Sequence, residues 1–133
     1  MASDRITLCV PARGEFAKTV RMTAAALVSR MGMTYDEVDD IRMAAEEAFV
    51  YAVDTLSDDA QVCFDFTLTD KEVVIVVPVG EQDLSSDEEA ERRAAYATFI
   101  LESVCDFYEF ANDESGAHLR LIKRVGAGDG NQE

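Results

Sequence analysis

The chain has 133 residues, 48% of them hydrophobic, and a formal net charge of -15 from 27 acidic against 12 basic side chains. That length makes one domain, large enough to bury a core without staples. The acidic balance argues against nucleic acid and anionic membrane as partners, since both repel it; it keeps the protein in solution and attracts a basic partner surface.

Arg5 to Val10 alternates as a short strand, and Pro11 ends it. A helix follows from Arg13 to Met31, with Phe16, Val20, Ala24, Leu27 and Met31 on one face and Gly32 as its C-cap. The chain is organised around the next stretch, Thr34 to Leu56, a single long helix. Thr34 and Glu37 form a capping box at its start. Val38, Ile41, Ala45, Ala48, Ala52 and Leu56 then make an apolar stripe, while Asp40, Met43, Glu47, Tyr51 and Asp54 share a second face. Glu47 and Tyr51 are four apart and so are neighbours.

Gln61 to Leu68 is a period-two strand, with Val62, Phe64, Phe66 and Leu68 on one side and Cys63, Asp65 and Thr67 on the other. Glu72 to Val77 is a valine- and isoleucine-rich strand central in its sheet, and the two form a hairpin. Glu81 to Glu91 carries six carboxylates. A third helix runs from about Glu88 to Asp106. Phe107 to Ala111 and Ala117 to Val125 form a second hairpin. The order β, α, α, β, β, α, β, β gives an α/β two-layer sandwich: a mixed, mostly antiparallel sheet of about five strands with three helices on one face. Residues 1–125 form the domain, and 126–133 read as a disordered tail.

The three cysteines, Cys9, Cys63 and Cys105, sit in apolar runs without a CxxC pair. They read as small buried core residues in a reducing compartment. No apolar segment reaches 18 residues and no signal pattern opens the chain, so the expected location is cytoplasmic. His118, the one histidine, reads as a surface or strand-edge residue rather than a metal ligand.

The element order, the run IRMAAEEAFVYAV from Ile41 to Val53, the opening VPARGEFAKTVRMTAAALV from Val10, and FILESVCDFYEF from Phe99 to Phe110 resemble the anti-sigma-factor serine kinases. These belong to the GHKL (Bergerat-fold) ATPase superfamily, so residues 1–125 are expected to be a single histidine-kinase-ATPase-like domain. The resemblance implies a helical Glu-x-x-x-Asn motif, in which the Glu is the general base and the Asn holds magnesium. Glu47 matches the Glu, as a vestigial base; Tyr51 stands at the Asn, and a phenol is a poor ligand for that hard cation. The family's Asp-x-Gly, which reads adenine, is here Pro78-Val79-Gly80: Gly80 is kept and the acceptor is gone. The family's glycine-rich phosphate turn is matched by Ala95, Tyr96, Ala97 and Thr98, and alanine disfavours the backbone freedom that such a turn needs.

Tyr51, Pro78, Gly80, Ala95 and Ala97 thus mark a degenerate nucleotide pocket, with no metal site. No cofactor is expected; ATP and magnesium belong to the protein only if the pocket still works. The leading expectation is a regulatory module that binds a sigma factor or an anti-anti-sigma protein, with a homodimer contact through Val10 to Met31, as the resemblance implies. An active ATP- and magnesium-dependent protein-serine kinase using Glu47 is the alternative. The third is a domain whose pocket takes a different ligand beside Tyr51.

Overall fold

The computed structural model describes residues 3–81 and 88–126. Most of the acidic segment from Glu81 to Glu91, and all but the first residue of the 126–133 tail, lie outside the described residues. The elements are β1 (Asp4–Pro11), a 3-10 turn (Gly14–Phe16), α1 (Ala17–Val28), α2 (Tyr35–Thr55), β2 (Gln61–Leu68), β3 (Glu72–Pro78), α3 (Glu88–Val104), β4 (Phe107–Asp113) and β5 (Gly116–Arg124).

The five strands form one sheet in the order β1-β2-β3-β5-β4, every neighbouring pair antiparallel. The sheet is therefore antiparallel throughout rather than mixed. Its two hairpins, β2–β3 and β4–β5, lie side by side, and β1 closes one edge by pairing with β2 from Asp4↔Leu68 to Pro11↔Gln61.

Alternation along the strands decides which face is covered. Val62, Phe64 and Phe66 of β2, Val73, Ile75 and Val77 of β3, and Leu119 and Leu121 of β5 are all buried. Against them lies α2, which touches β2, β3 and β5 and is flanked by α1 and α3. Ile41, Ala45, Ala48, Phe49 and Ala52 are its buried stripe, and Phe49 meets Phe64 with ring centres 6.3 Å apart. The small side chains let α2 settle close to the sheet. The capping box is present: Glu37 N–H donates to Thr34 Oγ1 at 3.1 Å, and Thr34 N–H donates to Glu37 Oε1 at 2.9 Å.

Two expectations need correction. The first helix is shorter than Arg13 to Met31: a 3-10 turn precedes it, and it ends at Val28 with Ser29 as its C-cap. Gly32, at φ +79°, serves the turn into Thr34 instead of capping the helix. The cysteines are not three buried core residues. Cys9 is exposed and Cys63 is half-buried, because each alternates away from the apolar neighbours that face the helices. They stand opposite one another in the β1–β2 register and are joined as a disulfide, with Cα atoms 4.0 Å apart. Cys105 alone is free; it is half-buried at the end of α3, and burial pushes its thiol up to about 12.

Candidate functional site

Tyr51 is the centre of the site. It is 5% exposed, and its ring packs on Phe110 of β4 with centroids 5.2 Å apart. On one side of it is a cavity of about 440 Å³, bounded by Gly80, Thr98, Phe110, Asn112 and His118 among others. On the other side is an open trough of about 620 Å³ between α2 and α3, lined by Glu47, Asp54, Arg92, Arg93 and Tyr96. Tyr51 lines both and so separates them. Alpha-helical spacing puts Glu47, Tyr51 and Asp54 on one side of α2. Arg93 Nε lies 3.4 Å from Asp54 Oδ2 and ties α3 to that side.

The trough is acidic on the α2 side. Burial raises the Glu47 carboxyl above its ordinary value, and the negative charges of Glu46 and Asp54 push it the same way. Burial likewise raises the Tyr51 phenol, opposed by the positive charge of Arg93. A raised carboxyl has a stability consequence. Between the unfolded value near 4.5 and the higher folded value, the native state binds more protons than the unfolded one. Stability therefore falls as pH rises through that window and stays lowered above it. The Glu47→Gln variant has no such penalty. Its melting temperature relative to the parent is expected to rise between pH 4 and pH 7 in thermal denaturation; a flat or falling difference would refute this reading of Glu47.

Gly80 has a packing role. Its N–H donates to Thr55 Oγ1 at 2.8 Å, and that hydroxyl donates in turn to Tyr51 O at 2.9 Å. A Cβ on Gly80 would lie 1.9 Å from the Thr55 carbonyl oxygen. The chain leaving β3 thus meets the end of α2 backbone to backbone.

The other marked positions separate. Pro78 is exposed, on the face of β3 opposite Val77, and does not line the cavity. Ala97 is fully buried in the core, while Ala95 is exposed on the outer side of α3. All of Ala95 to Thr98 lies well inside α3, which begins at Glu88. Interior helix amides are already bonded to the preceding turn, so these positions offer no free donors to a phosphate. The structure brings Tyr51 together with Glu47 on one side and with Gly80 on the other; Pro78, Ala95 and Ala97 stay apart from them. Among the described residues, no group of three or more histidine, cysteine or carboxylate side chains is placed to hold a metal.

Phe110, Thr55 and Arg93 complete the arrangement; the sequence marks Arg93, with Arg92, as a positive charge opposing the acidic segment, and gives Phe110 and Thr55 no role in the pocket. His118, expected at a surface or edge, is half-buried with Nδ1 3.4 Å from Gly116 O, and lines the cavity.

No protein-family model matches the chain. Over 135 aligned residues it is 34% identical to the serine-protein kinase RsbW of Halalkalibacterium halodurans, covering 90% of this chain and 83% of that one. The chain belongs to the RsbW family. The RsbW of Bacillus subtilis is 43% identical over a shorter span of 51 residues, 38% of this chain and 32% of the relative. RsbW of Listeria monocytogenes serotype 4a is 23% identical over 139 residues, covering 92% of this chain and 88% of the relative. Among solved structures, the RsbU and RsbW domains of Rv1364c from Mycobacterium tuberculosis superpose with a TM-score of 0.70 at 17% identity. That match covers 92% of this chain but 32% of the longer one, and it establishes the shared fold. The residues present do not fit the ATP and magnesium of a serine kinase: a buried phenol packed on Phe110 stands where the metal-holding amide is expected, and the phosphate-turn positions are helix interior.

Proposed function

We propose that this RsbW-family chain is an anti-sigma regulator that controls transcription by holding protein partners, a sigma factor or an anti-anti-sigma protein, in the cytoplasm. In this reading it has given up the nucleotide chemistry of its relatives. The observation that carries it is Tyr51, buried against Phe110 at the position of the family's magnesium ligand. A phenol held there cannot supply the hard oxygen donor that bridges a triphosphate. The charge of -15 supports protein over nucleic-acid or anionic-membrane partners, and it speeds encounter with basic surfaces. A homodimer through Val10 to Met31 fits the position of β1 at the sheet edge and the exposure of Met22 on α1.

Titration calorimetry with MgATP and a non-hydrolysable analogue tests the nucleotide half. The expected heat equals that of buffer; binding tighter than ~100 μM, about -5.5 kcal/mol, would restore the kinase reading. Gel filtration with purified sigma factors and anti-anti-sigma proteins of the same cell tests the partner half: one of them should co-elute. The second reading, an active serine kinase, is favoured by Glu47, which remains in a trough with Arg92 and Arg93. Phosphate transfer to a serine of an anti-anti-sigma protein would establish it.

A further inference from the structure

We propose that Cys9 and Cys63 are a reversible thiol–disulfide exchange site, served by a small disulfide of the glutathione class, that fastens and releases the edge strand β1. The two cysteines occupy one rung of the β1–β2 ladder and are bonded to each other, so the partners are already in place. They lie on the sheet face away from the helices, and Cys9 is exposed. Exposed disulfides are the ones that small thiols reach and that exchange readily; buried ones resist. Where a compartment keeps thiols reduced, a disulfide is usually transient and redox-sensing rather than structural. Cys105 supplies the contrast: half-buried, raised far above neutral pH and unpaired, it has little thiolate for the same chemistry.

The exchange balances without any other reactant. In the reduced protein the Cys9 thiolate attacks one sulfur of the small disulfide, forming a mixed disulfide and releasing one thiolate. Cys63 then gives its proton to solvent and attacks Cys9 Sγ, closing the cross-strand bond and expelling the second thiolate. One dithiol and one oxidised glutathione become one protein disulfide and two glutathiones, and reduction is the reverse.

The bond matters because β1 is an edge strand. Among the described residues it pairs on one side only, and of its apolar residues Ile6 and Leu8 are half-buried while Val10 is buried. With the bond open, β1 depends on its ladder, on those three contacts and on the Arg5–Asp65 ion pair of 2.8 Å.

The test uses the full chain in glutathione buffers whose [GSH]²/[GSSG] is varied over roughly a ten-thousandfold range. Free thiols are trapped by alkylation and the linked peptides identified by mass. The Cys9–Cys63 fraction is expected to pass from nearly none to nearly all, with Cys105 outside any disulfide throughout. Amide hydrogen exchange in β1 should be at least tenfold faster in the reduced form, with β4 and β5 unchanged. Cys9→Ser should show the fast β1 exchange in every buffer. The proposal is overturned if the pair stays bonded across the whole range, stays reduced across it, or stops as a glutathione adduct on Cys9. Equal β1 exchange in both forms overturns it too. It stands apart from the partner-binding reading, so either can fail alone.

Discussion

Gly80→Ala is expected to destabilise the fold by about 3 kcal/mol or more, enough to lower the melting temperature by roughly 10 °C. The added methyl would sit 1.9 Å from the Thr55 carbonyl oxygen and 2.6 Å from its carbon. Both are backbone atoms at the end of α2, so no side chain can turn aside to make room. Relief requires moving the β3 exit away from α2, which lengthens the Gly80 N–H to Thr55 Oγ1 bond of 2.8 Å. Thr55→Ala removes that bond without adding bulk and should cost only about 1 kcal/mol. Urea denaturation of the two variants checks the ranking. A Gly80→Ala protein as stable as its parent would mean the backbones do not approach so closely. The same contact gives this glycine a packing role, seating the helix, that needs no nucleotide.

Reduction of the Cys9–Cys63 bond should cost about 4 kcal/mol of global stability in the chain-entropy account. The bond closes a loop with a sequence separation of 54, which takes in both α1 and α2. Opening it returns that freedom to the unfolded chain. Denaturation in guanidinium with and without a phosphine reductant measures the difference, and Cys63→Ser should match the reduced parent under both conditions. No shift would show that the bond does not constrain the unfolded chain. The stability and exchange measurements are linked by one thermodynamic cycle: the more the bond stabilises the fold, the harder it is to reduce while the protein is folded.

The architecture was readable where two local signals agreed. In α2 the capping box and the apolar stripe point to the same helix, and in β2 strict alternation gave both boundaries. It was misread where a single local cue was taken alone. Gly32 suggested a C-cap, yet the helix had already ended at Val28, because the turn into Thr34 needs the positive φ for itself. The cysteines show what a strand pattern holds and what it lacks. Alternation in β2 set Cys63 opposite Phe64, which argues against core burial. That Cys9 meets it depends on the β1–β2 register, which joins strands separated in sequence by α1 and α2. The site was half legible for the same reason. Glu47 and Tyr51 are helix neighbours by spacing, but the packing of Tyr51 on Phe110, 59 residues later in sequence, is a product of the finished sheet. The interior position of Ala95 to Thr98 follows from where α3 starts, which a match to a glycine-rich turn does not reveal.

The placement of β1 also bears on how the protein is made. This strand leaves the ribosome before its one sheet neighbour among the described residues, β2 at Gln61–Leu68. Until that segment emerges, Ile6, Leu8 and Val10 have no strand to pair with, while the α1–α2 unit can already form behind them. Local contacts assemble before distant ones, so β1 is synthesised before the other four described strands and is among the last to dock. During that interval a nascent chain exposes an unpaired apolar strand, which invites pairing with another copy.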